Sequence, residues 1–398
     1  MNNLDKLIKS YEKDMISTMS HIIPIKAVSP MSGGGGESKR ADYLEKVLRS
    51  LGLSVKRYSY KDKYGVPRPN LVAVYGDKPR TIWIVPHMDT VSEGDPALWK
   101  TPPFKACVTN GKIYGRGSTD NLQALVSSIY ALKALKKAGA ELKYNFGLAI
   151  VADEEIGSVY GIQKLLKEHI FKRSDMFIVP DCGDANGNMI EVAEKGILWV
   201  KITVNGKQVH ASTPDQGVNA HRYMLRFLLK VDELLHRKYT KTSNVFSPNI
   251  STFEMTKHEK NVDSINIIPG TEIAYIDCRV LPDYKLDDVL GDMKRVASGS
   301  DFSKVKISFE IVQREDPAPP TSANAEVVRL LKKAIKSKRG VKVKTVGIGG
   351  GTCAGFLRRI GLESAVWSTV NDIAHRPNEY LVIKDMVDDA KVFAELFV

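Results

Sequence analysis

A mixed-sheet α/β fold interrupted by a small inserted α+β domain is the architecture this sequence predicts. Three observations carry the prediction. The chain has 398 residues, beyond the size that one hydrophobic core usually serves, so two domains are expected. Its first half alternates strand-like apolar runs with helix-like periods, as βαβ units do. From about Gly196 the order becomes βαββαβ, the split pattern of a ferredoxin-like domain.

The elements follow in order. Helical spacing of apolar residues predicts helices over 3–19, 37–51, 122–138 and 159–168, the second stopped by Gly52. Strands are predicted over 54–60, 70–75, 81–86, 145–152 and 175–180. In the insert, strands fall at 197–204, 250–255, 273–280 and 305–312, with helices at 219–236 and 286–297. The run Asp316-Pro317-Ala318-Pro319-Pro320 punctuates the chain, and helix–strand alternation resumes at Ala323. The expected division is one α/β domain in two pieces, 1–195 and 315–398, around a lid at 196–314.

Composition excludes several classes. An apolar content of 43% with 26% charged residues describes an ordinary globular protein. No apolar run approaches the roughly 18 residues that span a membrane. The opening MNNLDKLIKSYEKDMIS reads as an amphipathic helix rather than a leader, so a cytoplasmic location without membrane attachment is expected. The net charge of +12 is spread along helix faces, and the densest groups, 332–333 and 336–339, end a predicted helix where cations suit the dipole. A solvated basic surface is therefore expected, not a nucleic-acid patch. The four cysteines, Cys107, Cys182, Cys278 and Cys353, form no close pair, so reduced packing residues are expected. Cys182 and Cys353 stand beside candidate site residues. The loop Gly33-Gly34-Gly35-Gly36 lacks the Lys-Ser/Thr that a phosphate cradle needs.

Chemistry gathers where strands end. His87 follows Ile82-Trp83-Ile84-Val85-Pro86, Glu155 follows Leu148-Ala149-Ile150-Val151-Ala152 with two acids between, and Asp181 follows Met176-Phe177-Ile178-Val179-Pro180. In open α/β sheets ligands bind beyond the carboxyl ends of strands, so these side chains are expected to converge. With Asp120, just before a helix, and His375 they make two imidazoles and three carboxylates. That mixed set suits zinc or a similar divalent ion, and five ligands suffice for two ions with a bridging carboxylate. Asp153-Glu154-Glu155 is the strongest local signal, because adjacent acids closing a buried strand are costly without a cation. Neighbours diverge in direction, so Glu155 is assigned to metal and Glu154 to the role of general base. Asp89, two residues after His87, would fix the ring from behind. Asp184 competes with Asp181, which is favoured because it comes first after the strand.

The segments PHMDTV, YGRGSTDN, ADEEIGS, VPDCGD and AHRPNEY resemble those of the two-zinc amidohydrolases (metallopeptidase family 20). That family includes aminoacylase, acetylornithine deacetylase, succinyl-diaminopimelate desuccinylase and carboxypeptidase G. GKQVHASTPDQGVNA, INIIPG and DCR add support, and the match runs in order along nearly the whole chain. The resemblance implies a mixed-sheet metallopeptidase catalytic domain (phosphorylase/hydrolase-like) with a ferredoxin-like lid. It implies that Asp120 bridges two divalent ions, zinc first and cobalt or manganese as alternatives. His87 and Asp181 would complete one site, Glu155 and His375 the other. Glu154 would be the base and Asp89 the clamp. His210 would stabilise the oxyanion across a homodimer formed through the lid, and Asn266 and Arg279 would hold substrate. The implied reaction is hydrolysis of the amide bond of N-acyl amino acids, with carboxypeptidase or dipeptidase action as the alternative. One departure bears on the substrate. Gly349-Gly350-Gly351-Thr352 runs on as Cys353-Ala354-Gly355-Phe356, without the charged residues that follow this loop in desuccinylases. Gly351 and Thr352 remain candidates for holding a substrate carboxylate, and Lys195 reads as a surface lysine.

Overall fold

The computed structural model describes residues 3–398. The chain divides into two compact units. One comprises Met1–Val192, Thr321–Val346 and Thr352–Val398; the other comprises Ala193–Pro320 and Gly347–Gly351. The insert thus extends a few residues beyond 196–314 on both sides and takes in the glycine-rich loop.

The first unit is built on an eight-stranded mixed sheet. Its order is Val55–Lys61, Pro67–Tyr75, Asn145–Ile150, Thr81–Ile84, Met176–Asp184, Glu363–Thr369, Met189–Glu194 and Lys344–Ile348. The central strands pair in parallel, Thr81–Ile84 with both Asn145–Ile150 and Met176–Asp184, and the latter with Glu363–Thr369. Their residues are buried on both faces, as a covered parallel sheet demands. Gly147 lies opposite Trp83 in this register, and a Cβ there would come within 2.5 Å of the indole. Only glycine lets the ring lie across the neighbouring backbone.

Helix Gln123–Lys137 is buried on nearly every side, packed among the sheet and the helices Asn3–Ser10, Glu12–Ile22 and Ile383–Glu395. Ile162, Leu165, Ala354 and Leu357 join Trp83, Val85, Val151 and Phe177 in another core cluster. Two predicted helices differ from expectation. The helix expected over 3–19 breaks at Tyr11 and runs on to Ile22. That expected over 159–168 shrinks to Ile162–Leu165 and a following turn. Ser158, at φ 59°, and Gly161, whose Cβ would strike the Ala152 carbonyl, keep the chain before it non-helical.

The basic run 336–339 is not purely a solvated face. Lys338 bridges Asp5 and Glu395 at 2.9 Å each, and Arg339 pairs with Asp385 and Asp389, so both are largely buried. These contacts tie the first and last helices to helix Glu326–Arg339.

In the second unit an antiparallel sheet has the order Thr252–His258, Thr271–Val280, Gly196–Asn205 and Lys306–Glu315. With helices Ala220–Lys238 and Leu286–Ala297 between strands, this is the ferredoxin-like order. Alternation along Gly196–Asn205 turns Leu198, Val200, Ile202 and Val204 toward Phe227, Val231 and Met293 of the helices. Asn219 caps the first helix, its Oδ1 accepting the Arg222 amide at 3.0 Å. Lys195 is a correction. It is buried, and its ammonium donates to the carbonyls of Pro248 and Ile250 at 2.9 and 2.5 Å, so it pins a loop instead of meeting solvent.

Candidate metal centre

Four strand ends and the start of one helix bring the five predicted ligands together. His87 lies three residues beyond Thr81–Ile84 and Glu155 five beyond Asn145–Ile150. Asp181 falls inside a strand that continues to Asp184, past the point where its fully buried stretch ends at Pro180. Asp120 precedes helix Gln123–Lys137, and His375 follows Glu363–Thr369 by six residues. Two ligand groups result, His87–Asp120–Asp181 and Asp120–Glu155–His375.

The two groups share Asp120, one oxygen each. Its Oδ1 is 2.9 Å from His87 Nε2, and its Oδ2 is 3.0 Å from His375 Nε2. Asp181 Oδ1 lies 3.1 Å from His87 Nε2, and Glu155 Oε2 lies 3.0 Å from His375 Nε2. Asp184 instead accepts the Asn188 amide in a turn. Nδ1 of His87 is 3.1 Å from the Asp89 carbonyl, its natural acceptor. If that nitrogen carries the ring proton, Nε2 presents a lone pair toward two carboxylates. Such an arrangement calls for a positive charge between them. The donor spacings are close to the about 3.3 Å edge of a tetrahedron with bonds of ~2.0 Å, so nitrogen and oxygen ligands of this kind fit a divalent ion.

Protonation tells the same story. Burial opposes charge on His87, but the Asp181 carboxylate and bonds from Asp120 and Asp181 outweigh it and raise the imidazole well above its usual value. Hydrogen bonds donated to Asp120 and Glu155 push His375 up to about 10. Burial and the neighbouring Asp120 charge lift Glu155 to about 7. Burial first, then the Asp181 charge, raises Glu154 far above the usual carboxylate range. Four carboxylates crowd around two imidazoles, and cations would relieve them.

The surroundings hold these groups in place. Asp89 accepts the backbone amides of Glu154 and Glu155, both at 3.1 Å, so it fixes both residues through their backbone. Its carboxylate is 3.5 Å from His87 Nδ1, farther than its carbonyl, so it steers the ring chiefly through the backbone. Among the described residues Glu154 has no side-chain hydrogen bond. Asp153, the first of the three acids, turns away from the ligands. Its φ of 65° directs it to Arg68 at 2.9 Å, where Arg68 also pairs with Glu37. Arg40, fully buried, donates to the Met88 carbonyl between His87 and Asp89 at 2.6 Å. Asn121 donates to Asp181 Oδ1 at 3.1 Å and to the Pro180 carbonyl at 2.6 Å; its peptide bond with Asp120 is cis.

Two residues beside the ligands escaped the sequence reading. Glu379, in the AHRPNEY segment, accepts the amides of Gly117, Thr119 and Asp120, and Arg116 bonds to it at 2.7 Å. Gly117 makes the turn possible, with φ 81° and Thr90 Cγ2 only 2.3 Å from where a Cβ would stand. The available signal was the pairing of an acid four residues after His375 with an arginine four before Asp120.

The second unit carries the remaining candidates. His210 is exposed, bonded through Nδ1 to Ser212 at 2.7 Å, with Asn266 Nδ2 3.4 Å from its Nε2. Arg279 is gripped twice by Asp277, at 2.7 and 2.9 Å, and donates to the Gly349 carbonyl at 2.9 Å. Gly351 abuts the Glu315 carboxylate, 2.6 Å from where its Cβ would be. In the first unit, the Thr352 hydroxyl caps helix Cys353–Arg359 by accepting the Ala354 amide at 3.1 Å. Cys353 is buried and Cys182 half-buried.

A sequence profile of Peptidase family M20/M25/M40 matches residues 83–398. The chain belongs to this family. An uncharacterised metallohydrolase of Methanocaldococcus jannaschii is 40% identical over 405 residues, covering 96% of this chain and 98% of that protein. A succinyl-diaminopimelate desuccinylase of Pelagibacter ubique is 23% identical, with 96% and 97% covered. Among solved structures, an M20 family metallo-carboxypeptidase from Sulfolobus solfataricus superposes with a TM-score of 0.77 at 22% identity, covering 96% of this chain and 98% of that one. The chain is therefore an M20 metallohydrolase with a mixed α/β fold, and its two ligand groups are candidates for the dinuclear centre of such enzymes. Among the described residues no helix is long and apolar enough to cross a membrane.

Proposed function

We propose that this M20 enzyme hydrolyses the amide bond of N-acyl amino acids, with Glu154 as general base and two divalent ions, zinc by preference, held by His87, Asp120, Glu155, Asp181 and His375. The observation that carries the reading is the sharing of Asp120, one oxygen to each ligand group, beside Glu154, whose side chain has no hydrogen bond among the described residues. Bound ions would polarise the carbonyl and acidify the attacking water. Glu154 then takes the water's proton and delivers it to the leaving nitrogen. Its raised proton affinity suits the second half of that task, and ions held beside it would favour its carboxylate form for the first. Asp89 keeps Glu154 and Glu155 in fixed relation through their amides.

For the substrate, an acyl amino acid brings a carboxylate, and Arg279 is the side chain suited to it. Gly351 and Thr352 are further candidates for that end. Asn266 is assigned with Arg279 to holding substrate, and His210 to the oxyanion, acting on the active site of a second copy in a homodimer formed through the inserted unit. A cytoplasmic setting with no nucleic-acid or membrane partner completes the proposal. The desuccinylase of Pelagibacter ubique supports the deacylase reading. Carboxypeptidase or dipeptidase action on short peptides is its competitor.

The test is a panel of N-acetyl and N-succinyl amino acids against dipeptides, with zinc- or cobalt-loaded enzyme and kcat/KM as readout. Acyl amino acids are expected to react at least ~10-fold faster. Dipeptides faster by orders of magnitude would reassign the enzyme as a peptidase.

A further inference from the structure

Glu379 is 1% exposed and Arg116 is 2% exposed. The two oxygens of Glu379 collect four donors. Oε1 takes the amides of Thr119 and Asp120 at 3.0 and 3.2 Å; Oε2 takes the Gly117 amide at 3.0 Å and the Arg116 guanidinium at 2.7 Å. From the same guanidinium, Nη2 donates to the His375 carbonyl at 3.2 Å. One buried ion pair thus reaches the backbone of the shared ligand and of a ligand belonging to only one group.

We infer that Glu379 and Arg116 are positioning residues that set the Asp120–Glu155–His375 half of the metal pair; the inference rests on the two-ion reading above. His375 needs such an anchor. It has φ 64°, a left-handed backbone in a non-glycine residue, and its side chain is 54% exposed, so packing leaves the ring poorly fixed. His87 needs none, being 2% exposed at a strand end with its own backbone contact to Asp89. A buried ion pair adds little to stability over well-packed apolar residues, so its presence here asks for another account. Its bonds end on ligand-bearing backbone, and partners behind metal ligands typically govern affinity 10–100-fold.

The experiment titrates metal-stripped wild type, E379Q and R116K with Zn2+ or Co2+ by calorimetry, with bound ions counted by mass spectrometry. Wild type should take two ions. E379Q should keep the first within about threefold and bind the second about 10–100-fold more weakly, with excess Co2+ restoring turnover. R116K, which cannot reach both Glu379 and the His375 carbonyl with one fork, should shift the second ion in the same direction, and it decides the matter if E379Q does not fold. Both variants holding the second ion at wild-type affinity would overturn the inference. So would equal weakening of both ions with a lowered melting temperature, or failure of both variants to fold, since each makes the pair a folding staple. A wild type that takes fewer than two ions would overturn the two-ion reading itself.

Discussion

His87 and His375 each face one oxygen of Asp120, at 2.9 and 3.0 Å, yet the chain holds them in opposite ways. His87 sits at the end of a central parallel strand, 2% exposed, backed by Asp89 and by the buried Arg40. His375 stands on a turn with its side chain 54% exposed, tied to the body of the unit through Arg116 and Glu379. Asp181 and Glu155 repeat the contrast more weakly, one in a strand and the other in a short turn capped by Asp89. A sheet end carries one half of the site, with the buried Arg40 behind it. The other half, borne by loops, hangs on the buried pair of Arg116 and Glu379.

The largest effects should come from removing what the two halves have in common. D120A is expected to lose both ions and all measurable turnover, and E154Q to lose about 10²–10⁴-fold in kcat while still binding metal. Metal content measured beside activity checks both. Near-normal turnover in E154Q would take the base away from Glu154.

Next in size is the buried charge cluster of Arg68, Glu37 and Asp153. R68M strands Glu37 and Asp153 without a counter-charge and should cost about 3–5 kcal/mol of stability in urea unfolding. A cost under ~1 kcal/mol would mean that the cluster is hydrated and not a dry support.

Comparing H87A with H375A then tests the contrast itself. In metal-free protein H87A removes the buried imidazole that faces both Asp120 and Asp181, although Asn121 and His375 still reach those carboxylates, and should destabilise by about 1–3 kcal/mol. H375A, at an exposed position, should fall within ~0.5 kcal/mol of wild type. Equal losses would erase the distinction between the halves.

The smallest effect concerns Asp389, which burial pushes up to about 6 despite Arg339 and the Thr369 bonds. The folded protein therefore holds this proton more tightly than the unfolded chain, so the Asp389 contribution to stability declines as pH rises from about 4 to about 6 and then levels. The difference in urea stability between wild type and D389N should follow that course. A difference that grows over the same interval would show Asp389 to be held as a carboxylate.

Much of this was legible in the sequence because strands announce their own ends. Apolar runs finishing at Pro86, Ala152 and Pro180 located His87, the three acids and Asp181, and the βαββαβ order located the insert. Less visible was anything depending on which way a side chain turns. Asp153 reads as one of three equivalent acids until its positive φ turns it to Arg68. Lys195 reads as a surface lysine until two loop carbonyls close around its ammonium. Glu379 and Arg116 are far apart in the chain, and only their four-residue offsets from His375 and Asp120 hint that they pair. The helix expected over 159–168 failed for a related reason, because Ser158 and Gly161 impose a non-helical entry that apolar spacing does not register.

Anomalous diffraction from crystals grown with zinc tests the central claim most directly. The account predicts two peaks about 3.5–4 Å apart, one at each oxygen of Asp120, with His87 and Asp181 around one and Glu155 and His375 around the other. A single peak, or a pair lying away from Asp120, would contradict it.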